Sequence, residues 1–85
     1  MVATGAPEMQ RYYFDTHNGA LLVTDKKGME LDGIERARKR AVSLLPLLVR
    51  DDHSDHDEAT YEVRVRDANG RAVLNASLSL KVERL

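Results

Sequence analysis

Apolar and polar residues alternate strictly along residues 60–66, with Tyr61, Val63 and Val65 on one side and Glu62, Arg64 and Arg66 on the other. The same period of two returns after Asp67-Ala68-Asn69-Gly70, where Leu74, Ala76, Leu78, Leu80 and Val82 share a face as far as about Glu83. Successive side chains of a strand point to opposite faces, so both segments read as strands with one oily side. Asn-Gly between β-prone runs is a strong hairpin signal. A two-residue loop there pairs Val65 with Leu74, Val63 with Ala76 and Tyr61 with Leu78, every pair apolar and on the same face. A four-residue loop keeps the same facing.

Residues 11–16 and 20–24 read as an earlier hairpin around His17-Asn18-Gly19. A two-residue turn at Asn18-Gly19, with both residues at positive φ, pairs Phe14 with Val23 and Thr16 with Leu21. That puts Tyr12, Phe14, Leu21 and Val23 on the core side and Tyr13, Asp15 and Leu22 on the other. Asp25-Lys26-Lys27-Gly28 is a polar turn, and Met29-Glu30-Leu31 leads toward a helix. Asp32-Gly33-Ile34-Glu35 has the spacing of a capping box. Beyond it the period changes to 3.6: Ile34, Ala37, Ala41, Leu44, Leu45 and Leu48 form one stripe, opposite Arg36, Lys39, Arg40 and Ser43. Pro46 has no amide for the Val42 carbonyl, so a kink or a stop is expected there, with a further turn through about Arg50.

These elements predict an α+β domain of the order ββαββ: a four-stranded antiparallel sheet with one helix packed on one face. Residues 9–85 make the single domain, and the polar, proline-containing residues 1–8 are expected to be a disordered tail. At 85 residues the core is small, aromatic side chains are limited to Tyr12, Tyr13, Phe14 and Tyr61, and self-association is a common remedy for the thin margin of stability.

The chain has no cysteine, hence no disulfide and no thiolate chemistry. Residues 1–8 lack the basic start and apolar run of a secretory signal. The longest apolar stretch, residues 44–49, is too short to cross a bilayer. A cytoplasmic protein without a membrane role is the expectation.

Several short stretches together resemble a known family. Arg11-Tyr12-Tyr13-Phe14, the turn Asp25-Lys26-Lys27-Gly28, Glu30-Leu31, the helix onset Ile34-Glu35-Arg36-Ala37-Arg38 and the hairpin Val65-Arg66-Asp67-Ala68-Asn69-Gly70 are similar to a domain of unknown function found in small uncharacterised proteins of rhizobia-like alphaproteobacteria. The resemblance spans about residues 9–80. It implies that Met9 lies near the usual start of the family and residues 1–8 are an extension. Pro46 and the histidine-bearing loop that follows depart from the family pattern. No activity comes with the resemblance.

Charge adds one contrast. Residues 51–58 (DDHSDHDE) hold five of the fourteen acidic side chains and none of the thirteen basic ones. His53 and His56 in this loop are the one metal-like pair, with carboxylates nearby. His-x-x-His in a flexible loop has no groups to orient its ligands, so a solvated linker is the preferred reading and no metal or cofactor is expected. Arg36, Lys39 and Arg40, with Arg64 and Arg66 on the sheet, are candidate phosphate contacts for weak nucleic-acid binding. The solvent side of an amphipathic helix accounts for the first three equally well.

Catalytic chemistry has less to stand on. No serine has a nucleophile motif, the glycines form no phosphate cradle, and Asp15 with His17 reads as a surface ion pair. The expected role is a non-catalytic interaction or accessory domain, either a homo-oligomer pairing through strand edges or a binder of another protein. Residues 71–83 are the strand to watch: long, proline-free, with small uncharged Asn75, Ser77 and Ser79 on the outer side. Their alternation fits an edge or a central position.

Overall fold

The computed structural model describes residues 8–85; the expected tail lies almost wholly outside the described residues. The elements are β1 (Gln10–His17), β2 (Leu22–Val23), β3 (Met29–Leu31), α1 (Ile34–Asp51), β4 (Glu58–Arg66) and β5 (Ala72–Lys81). All pairings are antiparallel, in the order β2-β1-β4-β5, with β3 also on β1. The α+β class and the single helix on one face agree with expectation, and the strand count is five instead of four.

The additional strand has a local cause. β1 is eight residues long and β2 only two, so β2 covers just Thr16 and His17. Met29-Glu30-Leu31, expected as a lead into the helix, pairs instead with Tyr12, Arg11 and Gln10. Between them residues 24–28 bulge away, and the Asp25 carboxylate takes the place of a strand: its Oδ2 accepts the Phe14 amide at 3.0 Å. Gly28 turns the chain back at φ +69°, where a Cβ would stand 2.9 Å from the Tyr12 carbonyl oxygen. Only glycine fits both demands.

The first hairpin is also longer than expected. Thr16 opposes Val23 and His17 opposes Leu22, in place of Phe14 with Val23 and Thr16 with Leu21. Asn18 is not at positive φ; its Oδ1 accepts the amides of Ala20 and Leu21 at 3.0 and 2.8 Å. This side-chain turn needs two more residues than the tight Asn-Gly form. The second hairpin has the expected register, with Val65 opposite Leu74, Val63 opposite Ala76 and Tyr61 opposite Leu78. A bulge then sets Arg66 opposite Ala72, and Asp67 Oδ1 accepts the amides of Asn69 and Arg71, both at 2.9 Å.

Tyr12, Phe14, Tyr61, Val63 and Val65 meet Ala37, Ala41 and Leu45 in the core. Two alanines on the buried stripe let the helix approach the sheet closely. Full burial of a valine such as Val63 contributes roughly 1.5–3 kcal/mol. Leu21 and Val23, expected inside, are exposed because the helix lies chiefly over β4 and β5 and does not cover β2; Ile34, the first residue of the helix and also expected inside, is exposed as well. The capping box does not form. Gly33 caps the helix without a side-chain hydrogen bond, and Asp32 turns to Arg36 at 3.5 Å. Pro46 lies inside the helix, which continues to Asp51.

Candidate functional site

Among the described residues β5 pairs only with β4, so it is an edge of the sheet along ten residues. The orientation of its free groups follows from one bond. The Val82 amide donates to the Asp57 carbonyl at 2.7 Å, toward the β4 side. In an antiparallel ladder bonding alternates by residue, so Leu74, Ala76, Leu78 and Leu80 bond inward while the amides and carbonyls of Asn75, Ser77, Ser79 and Lys81 face outward. On the helix side of the same strand, Leu78, Leu80 and Val82 keep 41%, 37% and 51% of their surface. A row of unpaired peptide groups thus runs beside an apolar strip.

The opposite edge is closed. Besides the Phe14 amide, Asp25 accepts the amides of Lys27 and Gly28 through Oδ1 at 3.0 and 3.1 Å. Its own amide donates to Asp15 Oδ1 at 2.9 Å. Arg66 ties this bulge to the sheet: Nε donates to Asp15 Oδ2 at 2.7 Å and Nη2 to the Asp25 carbonyl at 2.9 Å. Its guanidinium also lies 4.9 Å from the centre of the Tyr13 ring. The Arg66 hydrogen bond holds the Asp15 carboxyl below the ordinary aspartate value. Burial pushes Asp25 up, but the amides of Phe14, Gly28 and Lys27, with Arg66 nearby, bring it below that value as well.

The expected Asp15–His17 pair is therefore not made. Asp15 is taken by Arg66, and His17 faces Glu62 across the strands at 3.9 Å. His17 and Glu62 line a depression of about 190 Å³ on the open sheet face, together with Asp15, Leu22, Arg64 and Asn75. Asn75 Nδ2 donates to Glu62 at 3.2 Å, so the polar groups there largely engage one another.

The basic residues do not form one surface. Arg36, Lys39 and Arg40 are exposed on the helix, whereas Arg64 and Arg66 alternate with Val63 and Val65 and so lie on the opposite face of the sheet. Arg66 is engaged by Asp15 and Arg36 by Asp32. His53 and His56 are both exposed. Among the described residues, no three His, Cys, Asp or Glu side chains gather to hold a metal ion. Their loop has a structural anchor instead: Tyr61 Oη donates to Asp52 Oδ2 at 2.8 Å, and Asp52 Oδ1 accepts the Ser54 amide at 2.9 Å. The Ser54 amide first, then the Tyr61 hydroxyl, hold the Asp52 carboxyl below its ordinary value. Neither Asp25 nor Asp52 stood out in the sequence, since acidic residues in polar turns carry no mark of the distant amide or hydroxyl they meet.

Among the described residues no helix is long and apolar enough to cross a membrane. No curated protein and no solved structure matches the chain. One family profile matches residues 11–79, most of its length and close to the span of the resemblance noted above. The whole helix and all but the outer ends of β1 and β5 fall within that span, and the chain belongs to the family described as a domain of unknown function, DUF6894.

Proposed function

We propose that this chain is a small non-catalytic interaction domain of the cytoplasm that associates with a second copy of itself by strand addition along β5. The observation that carries the reading is the free edge: ten residues without proline, with the peptide groups of Asn75, Ser77, Ser79 and Lys81 directed outward. Natural sheets guard such edges with charge, proline, bulges or brevity. On β5 only the bulge at Val73 and Lys81, at the two ends of the strand, meet that description, and Glu83 pairs with Lys81 at 3.0 Å. The exposed Leu78, Leu80 and Val82 add apolar area to the main-chain bonds an incoming strand would make. The non-catalytic part of the reading rests on the chain's lack of cysteine and of any nucleophile motif around its serines. The same lack of cysteine suits a reducing compartment.

The outward direction of the Ser77 amide supplies a clean test. Ser77→Pro removes a donor that points away from β4, so the internal ladder survives; proline is tolerated at such edge positions. Sedimentation velocity from low to high micromolar concentration is expected to show reversible association of the wild type and none of Ser77→Pro. Ser77→Lys, which charges the same edge, is expected to behave likewise. A wild type that stays monomeric throughout, or a Ser77→Pro chain that associates as well as the wild type, would remove β5 as the surface.

A further inference from the structure

We infer that the association stops at two copies, in one register: the β5 strands run antiparallel with Ser77 of each copy opposite Ser77 of the other. The inference rests on the β5 reading above and adds to it the stoichiometry and the geometry of the partner.

The register follows from the direction of the bonds and the side chains they bring together. Only residues whose peptide groups face outward can form hydrogen-bonded pairs, which restricts the choice to Val73, Asn75, Ser77, Ser79 and Lys81 meeting one another. Two alignments overlap nearly the whole of β5. One sets Asn75 opposite Ser77 of the other copy and Ser79 opposite Val73, where the bulge ends the regular ladder and the Arg71 carbonyl turns inward to the Asp67 amide at 2.8 Å, so Lys81 has no outward-facing partner. The other sets Ser77 opposite itself and Asn75 opposite Ser79, with Lys81 facing the apolar Val73. On the helix side this second alignment places Leu80 opposite Leu74, and Leu78 opposite the smaller Ala76, which covers two of the exposed leucines. The Ser77 alignment satisfies every constraint.

Closure follows from the other edge. A sheet extended through β5 presents, at each end, only the side of β1 that β2 and β3 cover. The longest continuous strand there is three residues. The bulge between β2 and β3 carries exposed Lys26 and Lys27, and its Asp25 already occupies the Phe14 amide. Arg66 and Arg11 hold the bulge in place, through the carbonyls of Asp25 and Lys27 at 2.9 and 2.7 Å. Short strands, lysines and a bulge are the devices that stop edge-to-edge growth. One edge is open and the other is shut, so two copies exhaust the pairing sites.

Sedimentation velocity of the full wild-type chain, followed to high micromolar concentration, reads the stoichiometry. Disulfide trapping reads the register, and the absence of native cysteine makes each introduced thiol unique. In the inferred register the two Ser77 Cα atoms lie about 5.5 Å apart, within disulfide range. The two Ser79 Cα atoms are offset by four residues, about 13 Å. Mild oxidation is expected to convert most of Ser77→Cys to a covalent dimer and to leave Ser79→Cys largely uncrosslinked, while the wild-type mass rises to two copies and levels off. Continued growth beyond two overturns the closure, and trapping of Ser79→Cys in preference to Ser77→Cys overturns the register; in both cases the β5 reading stands. A wild type that never leaves the monomer overturns the reading and the inference together.

Discussion

Asp15, Asp25 and Arg66 do for the sheet what a continuous strand would otherwise do. An amide left without a partner inside a protein costs about 1–3 kcal/mol, and the Phe14 amide sits where β2 has ended and β3 has not begun. The Asp25 carboxylate meets it, and Asp15 and Arg66 fix the bulge that carries Asp25. Both carboxyls are held below their ordinary value in the folded chain. The unfolded chain therefore binds protons more readily, and the stability these groups contribute is complete above the ordinary aspartate range. It is lost as pH falls through that range into the lower values the folded state holds. Acid unfolding followed by circular dichroism should then show a shallower loss of stability below the ordinary aspartate range for Asp15→Asn than for the wild type, together with lower stability at neutral pH. An unchanged acid slope would mean that the Asp15–Arg66 pair contributes little.

At the scale of the elements, the helix carries a local conflict that its packing overrides. Pro46 denies the Val42 carbonyl a partner, yet α1 continues to Asp51 because Leu48 and Val49 of the last turn pack against the core. Pro46 itself is exposed. Restoring an amide with Pro46→Ala should raise stability by about 1–3 kcal/mol, read as a higher urea midpoint with an unchanged slope. The period of two in residues 60–66 and 71–83 is enough to read the pairing of Val65, Val63 and Tyr61 with Leu74, Ala76 and Leu78, because each strand is long and half-buried, but the bulge at Val73 leaves no mark in it. Residues 29–31 are too few to show a period, so β3 is not legible in the sequence. The closed edge was out of reach for another reason. Asp15 and Arg66 stand 51 positions apart, and nothing near either one names the other. The edge position of β5 likewise depends on β1 inserting beside β4, a choice made by packing and invisible in the alternation.

At the scale of the whole molecule, a small core and an open edge bear on the same quantity. Association that favours the folded chain raises its apparent stability with concentration. The thermal midpoint of the wild type is expected to climb as the protein is concentrated, and that of Ser77→Pro to stay level. Equal behaviour of the two would separate thermal stability from the β5 edge. The topology has a further consequence for how the chain comes to be folded. The centre of the sheet joins β1, near one end of the described chain, to β4, beyond the helix, with Phe14 opposite Val65. The helix and the β4–β5 hairpin are local and can form on their own timescale, but the β1–β4 seam requires a long loop to close first. During synthesis β1 leaves the ribosome before the helix and β4, and must wait, half-paired, until the segment containing Val65 has been made. The sheet is thus completed by the β4–β5 hairpin, and until that hairpin has emerged the side of β1 destined for β4 stands open in the nascent chain.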